Sequence, residues 1–251
     1  MQDFLPAIYN WIHMHSARIA ELLQPFLAPA SNHCHSETGR RHGEESAVLS
    51  SAQLEYISTY IDILLRWNAR INLTAIRDPG EIVTRHFGES LFAARHLFPN
   101  SPSVSPVPSV VKGLTRVADL GSGAGFPGIP IKLWAPTIAL TLIESNHKKA
   151  AFLREVGRAL TLTDINIQNT RADDVSQTFD VVTLRAVEHF AAALPIAARL
   201  LAPAARVALL IAHPQLDTAR SALPRLTWQQ PIHVPQSQSR LLLVGRLEQQ
   251  E

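Results

Sequence analysis

Cysteine is nearly absent from this 251-residue chain. Cys34 stands alone, so no disulfide can form within it. The chain also lacks an apolar run of membrane-spanning length, and it lacks the basic start and apolar stretch of a secretory signal. A cytoplasmic location is therefore expected. Lysine is scarce as well: Lys112, Lys132, Lys148 and Lys149 are the only four, so Arg supplies most of the 23 basic residues. Arg is the better fork for phosphate and the better plane for stacking on bases, which suits a nucleic-acid partner, although an Arg-rich genome would leave the same mark. The formal net charge is +2, and 46% apolar against 18% charged residues exclude a disordered or fibrous chain.

What is present falls into three stretches. Residues 1–48 read as an extension: apolar side chains at helical spacing over 4–26, ended by the prolines at 25–29, then a polar insertion at 31–45. The insertion holds His33, Cys34, His35 and His42 but not the spaced pairs of a zinc site, so no metal is expected there. Residues 49–112 read as a helical appendage and linker. Ser50 with Gln53 makes a capping box that Leu49 can staple to Leu54. Leu54, Ile57, Ile61, Leu64 and Leu65 then recur on one helical face. A second helix is expected over 81–97, and the Pro- and Ser-rich stretch from 99 to 112 is a linker.

From residue 113 to the end the pattern alternates short apolar runs with helical ones. RVADL, IALTLIE, DINIQN, FDVVTL and RVALLIA are strand candidates, separated by helices over 129–134, 147–160 and 189–201. Such alternation predicts an α/β, doubly wound, Rossmann-like parallel sheet wrapped by helices, closed by an antiparallel pair near 228–234 and 241–247.

The chemistry concentrates at residues 117–130, VADLGSGAGFPGIP, where a strand runs into a glycine turn and a helix start. Gly121, Ser122, Gly123, Gly125 and Phe126 form the turn, a backbone that bends sharply and lets a ligand approach. Gly123, Gly125 and Gly128 also spell GxGxxG, so a dinucleotide must be weighed. Asp119 separates the two cofactors, because a carboxylate there repels a diphosphate and attracts the amine and sulfonium of S-adenosylmethionine; a capping or turn role is its structural alternative. Glu144, ending the second strand, lies where an acid grips ribose hydroxyls. Ala172 and Asp173, after the third strand, can flank adenine. Arg185 ends the fourth strand and so faces the cleft, where it could hold the donor's carboxylate, a base or a phosphate, unless it pairs with Glu188 instead.

Two absences bear on the acceptor. There is no NPPY-like loop for exocyclic amines, and the lone cysteine lies far from the glycine turn, which disfavours cysteine-activated attack on a pyrimidine carbon. The acceptor should supply its own lone pair, as guanine N7 does.

The segments WNARINLTAIRDPGEIVTRHFGES, ADLGSGAGFPGIPI and VVTLRAV, in this order, resemble the RsmG or GidB family of bacterial 16S rRNA guanine-N7 methyltransferases. The resemblance spans residues 49–211. It implies a class I methyltransferase fold with a helical appendage, acting on guanosine 527 of 16S rRNA, in the small ribosomal subunit or its precursor. It also implies donor contacts at Gly121, Phe126, Ala172, Asp173 and Arg185, with Arg185 the candidate for the catalytic role. The family's N-terminal signature falls on Asn68, Asn72, Leu73, Thr74, Arg85, His86 and Ser90. Asn72, Arg77, Arg85 and His86 are the candidate RNA contacts, with a packed His86 as the alternative, and Trp67 fits core better than a base platform. This chain departs from the family at 211–214, where Ile-Ala-His-Pro stands in place of a Lys-Gly pair. Two other readings remain open at this level: an NAD-dependent oxidoreductase, and an RNA-binding assembly factor of the same fold without activity.

Overall fold

The structure, a computed structural model, describes residues 14–28, 48–99 and 113–248. The polar insertion at 31–45, nearly all of the linker and the start of the first expected helix lie outside them. The first helix, α1 (Ser16–Leu27), buries Ile19, Leu23 and Phe26. Its successor α2 (Ser51–Asn68) starts at the expected capping box: Ser50 Oγ accepts from the Gln53 amide at 3.3 Å and Gln53 Oε1 from the Ser50 amide at 2.8 Å. The helix expected over 81–97 starts two residues earlier and is not uniform. Asp78 caps α3 (Pro79–Ile82), a π-helical segment (Val83–Gly88) follows, and α4 (Glu89–Leu97) completes the run.

The sheet contains β1 (Arg116–Leu120), β2 (Ala139–Ile143), β3 (Ile165–Gln168), β4 (Phe179–Arg185) and β5 (Leu201–Ala212), all parallel. Helices α5 (Gly128–Trp134), α6 (His147–Ala159) and α7 (Phe190–Arg199) connect them, and α8 (Leu216–Ala222), which periodicity did not reveal, follows β5. The last strands are β6 (Leu226–Trp228), β7 (Ile232–His233) and β8 (Arg240–Leu247), and the sheet order is β3-β2-β1-β4-β5-β8-β6, with β7 also on β8. The C-terminal strands are antiparallel as expected, but β8 lies inside the sheet against β5 and carries β6 and β7 on its far side. Order reverses between β1 and β4, so the crevice beyond their carboxyl ends is the place for a ligand in such a sheet.

Two apolar cores flank the sheet. One joins Ile57, Tyr60 and Leu64 of α2 to Ile129 and Trp134 of α5 and Phe152 and Val156 of α6, so the N-terminal helices share their core with the sheet. Its mirror lies under α7 and α8. Along β1, Val117 belongs to the first core while Ala118 and Leu120 belong to the second, the alternation a pleated strand imposes. Among the described residues no helix is long and apolar enough to cross a membrane.

Candidate active site

The glycine turn after β1 is held from within. The Gly121 and Ser122 amides both donate to the Ile143 carbonyl, at 2.9 and 3.2 Å, and the Gly125 amide donates to the Ser122 carbonyl at 2.6 Å. The Gly123 amide donates to Glu144 Oε2 at 2.8 Å and the Gly128 amide to Asp119 Oδ2 at 3.3 Å. Five amides of the turn thus have protein acceptors, two of them carboxylates. A diphosphate is held by amides left unspent and pointing outward, so this turn is poorly built for one. Gly125 is required on two counts: its φ is +84°, and a Cβ there would strike the Tyr60 hydroxyl and come within 2.8 Å of Ile129. The same hydroxyl donates to the Ala124 carbonyl, tying the turn to α2.

Beyond this turn opens a cleft of about 910 Å³, lined by residues 120–124 and Phe126 together with Glu144, Ala172, Asp173 and Arg185. Glu144 is buried, and its Oε1 accepts from the Asn146 amide at 2.8 Å, so each oxygen has one protein donor and a lone pair left for a ligand hydroxyl. Asp173 is exposed and pairs with Arg171 at 3.2 Å.

Asp119 is not part of the cleft wall. It has no solvent exposure, and Oδ1 accepts from the Thr183 hydroxyl at 2.8 Å while Oδ2 takes the Gly128 amide. Burial pushes its carboxyl up to about 6, against the pull of those hydrogen bonds and of Arg185. Its work is to anchor the start of α5 on β1, the turn role weighed from sequence, and any effect on a ligand is exerted through the field rather than by contact.

Arg185 also has an unexpected partner. Its guanidinium pairs with Glu89 at 2.9 Å rather than with Glu188, and the two hydrogens of Nη2 are shared among that carboxylate, the Arg85 carbonyl at 2.6 Å and His86 Nδ1 at 3.1 Å. An Arg only donates, so His86 Nδ1 accepts and the proton sits on Nε2, 2.8 Å from the Thr74 hydroxyl oxygen. Burial first, and the Arg185 and Arg85 charges second, drive the imidazole down to about 3. Neutral His86 then stacks on Phe126, centroids 4.8 Å apart, and Phe126 stacks on Tyr60 at 5.3 Å. Thr74 is itself fixed by Asn68, whose Oδ1 accepts from the Leu73 and Thr74 amides at 2.9 and 3.0 Å. Nη1 of Arg185 has no hydrogen-bond partner among the described residues, and the side chain lines the cleft.

The sequence profile described as GidB, rRNA small subunit methyltransferase G, matches residues 53–239. The chain belongs to that family. Two curated members, both named ribosomal RNA small subunit methyltransferase G, match over 213 residues. One, from Chloroflexus aggregans, is 35% identical and aligns over 78% of this chain and 82% of its own length. The other, from Roseiflexus castenholzii, is 38% identical, with 78% and 84% covered. Among solved structures, magnesium protoporphyrin IX methyltransferase from Synechocystis with bound SAM is 16% identical, with a TM-score of 0.55, 81% of this chain and 100% of that one covered. Its likeness establishes a Rossmann-like methyltransferase fold.

Within this chain the structure brings Gly121, Ser122, Gly123, Phe126, Glu144, Ala172, Asp173 and Arg185 to one cleft. Gly125 stands behind the turn against Tyr60, and Asp119 beneath it. The candidate RNA contacts separate. Asn72, Arg77 and Arg85 are exposed outside the cleft, whereas His86 is buried in its wall, the packed alternative. Trp67 is half-buried and packs against the core, edge-on to Phe152 with Nε1 donating to Glu155 at 2.8 Å. Tyr60 and Glu89 were missed as site residues. Tyr60 follows Ile57 by three and precedes Leu64 by four, so its face was legible; that Glu89 would meet Arg185, 96 residues away, was not.

Proposed function

We propose that the chain transfers the methyl group of S-adenosylmethionine to N7 of a guanine in 16S rRNA, guanosine 527 by the family resemblance, within the small ribosomal subunit or its precursor. The observation that carries this reading is a family match over residues 53–239 joined to a switch-point cleft in which five turn amides are spent on Glu144, Asp119 and backbone carbonyls. Such a wall favours a cationic nucleoside and disfavours a diphosphate, which leaves the oxidoreductase alternative without support. A bound S-adenosylmethionine in a protein of the same fold supports the choice of donor.

Each residue has a task that follows from its position. Glu144 has one free lone pair per oxygen for the ribose hydroxyls, and Asp173 and Ala172 flank the place for the base. Arg185, held by Glu89, His86 and the Arg85 carbonyl, keeps Nη1 for the donor's carboxylate or for an acceptor oxygen. S-adenosylmethionine supplies a sulfonium methyl open to in-line attack. Guanine N7 has its lone pair in the ring plane, so no residue has to remove a proton first; the chain contributes alignment and exclusion of water.

The test is to map N7-methylguanine in small-subunit RNA from cells with and without the protein. Loss of one modified guanine on deletion, restored by wild type and not by Glu144→Ala, is expected. Identical maps would refute the reading, and RNA binding with no methyl transferred would favour the inactive assembly factor.

A further inference from the structure

A second groove, about 340 Å³, lies on the other side of the Arg185–Glu89 pair. Arg185 lines the cofactor cleft and Glu89 lines this groove, so the ion pair is the partition between the two. One wall is the π-helical turn, with Thr84 and Arg85; the other is the tip of the β7–β8 hairpin, with Gln236, Ser237 and Arg240.

We infer that this groove seats a backbone phosphate of the RNA strand next to the target nucleotide, with Arg85 and Arg240 as its cationic walls. The inference rests on the RNA-methyltransferase reading. Its first support is charge. Among the described residues neither Arg85 nor Arg240 has a carboxylate partner, although the other Arg at this place, Arg185, is paired. Glu89, the one carboxylate in the wall, is already neutralised by Arg185, so the two guanidinium groups of Arg85 and Arg240 face a spent carboxylate. Arg240 lies close enough for its charge to bear on both Arg185 and His86. Clustering like charges this way without a counter-ion costs free energy that an incoming phosphate returns.

The second support is construction. The hairpin tip is held rigidly, the Ser237 amide donating to the Val234 carbonyl at 3.2 Å and the Arg240 amide to Ser237 Oγ at 3.1 Å, with Gln236 in the left-handed region at φ +58°. The Gln236 and Gln238 amides and the Ser239 hydroxyl add donors for phosphate or sugar oxygens. The third support is proximity. A base entering the cofactor cleft must be turned out of its strand, so its phosphates stay outside the cleft, and Arg85 in this groove is the chain neighbour of His86 in the cleft wall.

The experiment measures binding of small ribosomal subunits, and of 16S RNA stripped from them, both from cells lacking the protein, at several salt concentrations. Arg240→Gln and Arg85→Gln are each expected to weaken binding roughly tenfold and to reduce the slope of log affinity against log salt by about 1. Arg158→Gln, an exposed Arg on α6 outside both cavities, should leave that slope unchanged. Affinity for S-adenosylmethionine should stay at the wild-type level in all three, which also shows that they fold. A slope in Arg240→Gln equal to that of wild type, or a loss no larger than in Arg158→Gln, overturns the inference. Failure of the underlying reading shows separately, as wild-type protein that transfers no labelled methyl to these particles.

Discussion

Asp119 and His86 are both buried titratable groups, and burial moves them in opposite directions. In the unfolded chain the imidazole takes a proton near 6.5, but in the fold it resists until about 3. Below 6.5 the unfolded state therefore binds the extra proton, and stability is lost as pH falls. Asp119 works the other way: its folded carboxyl takes a proton near 6 and its unfolded one near 3.8, so acid relieves a penalty over that window. Between about pH 7.5 and about pH 5 the His86 contribution is a loss of about 2 kcal/mol and the Asp119 contribution a gain of about 1 kcal/mol. Urea unfolding of His86→Gln should accordingly lose less stability across this interval than wild type does, whatever its stability at neutral pH. An equal loss would show that His86 is not the group responsible. The place of Asp119 at the end of β1 was legible in the sequence. Its direction was legible only in part: strand alternation puts it on the same face as Val117, but that α5 returns over this face with the Gly128 amide toward the carboxylate depends on the crossover, which composition does not encode.

Capping chemistry carried the secondary structure well at Ser50 and Gln53, where side chain and backbone are near in sequence, while the Asp78 cap, which starts the next helix two residues before the expected 81, went unread. It could not disclose the π-helical segment inside 79–97, because the one-residue widening of the helix is imposed by what the turn packs against. Gly88 shows the constraint. A Cβ at this position would lie 2.6–2.8 Å from the Phe26 ring of α1, too close for either to stay. Gly88→Ala should therefore lower stability by roughly 1–3 kcal/mol, read as a drop in melting temperature. Combining it with Phe26→Leu should recover part of that loss, since a smaller side chain makes room. Equal or additive losses in the double variant would mean that the two residues do not share this contact.

At the scale of the whole molecule, the sequence patterns divide 49–112 from 113–251 and are silent on their packing. The sequence marks helices by period and strands by alternation, yet nothing local states that Ile57, Tyr60 and Leu64 share one core with α5 and α6. One consequence is that a fragment beginning at residue 113 would expose Trp134, whose Nε1 donates to the Phe98 carbonyl, and Phe152, which packs on Tyr60 and Trp67. It is expected to lack the cooperative unfolding transition of the full chain and to bind a dye for exposed apolar surface; a fragment that unfolds as sharply as the intact protein would contradict the shared core. The same packing makes the N-terminal helices part of the cleft, since Tyr60 holds the Ala124 carbonyl and Glu89 holds Arg185.

Titration calorimetry of the full chain with S-adenosylmethionine and, separately, with NAD asks the central question directly. Saturable heat with S-adenosylmethionine, abolished in Glu144→Ala, and none with NAD is the predicted result. Saturable binding of NAD by a protein indifferent to S-adenosylmethionine would contradict it.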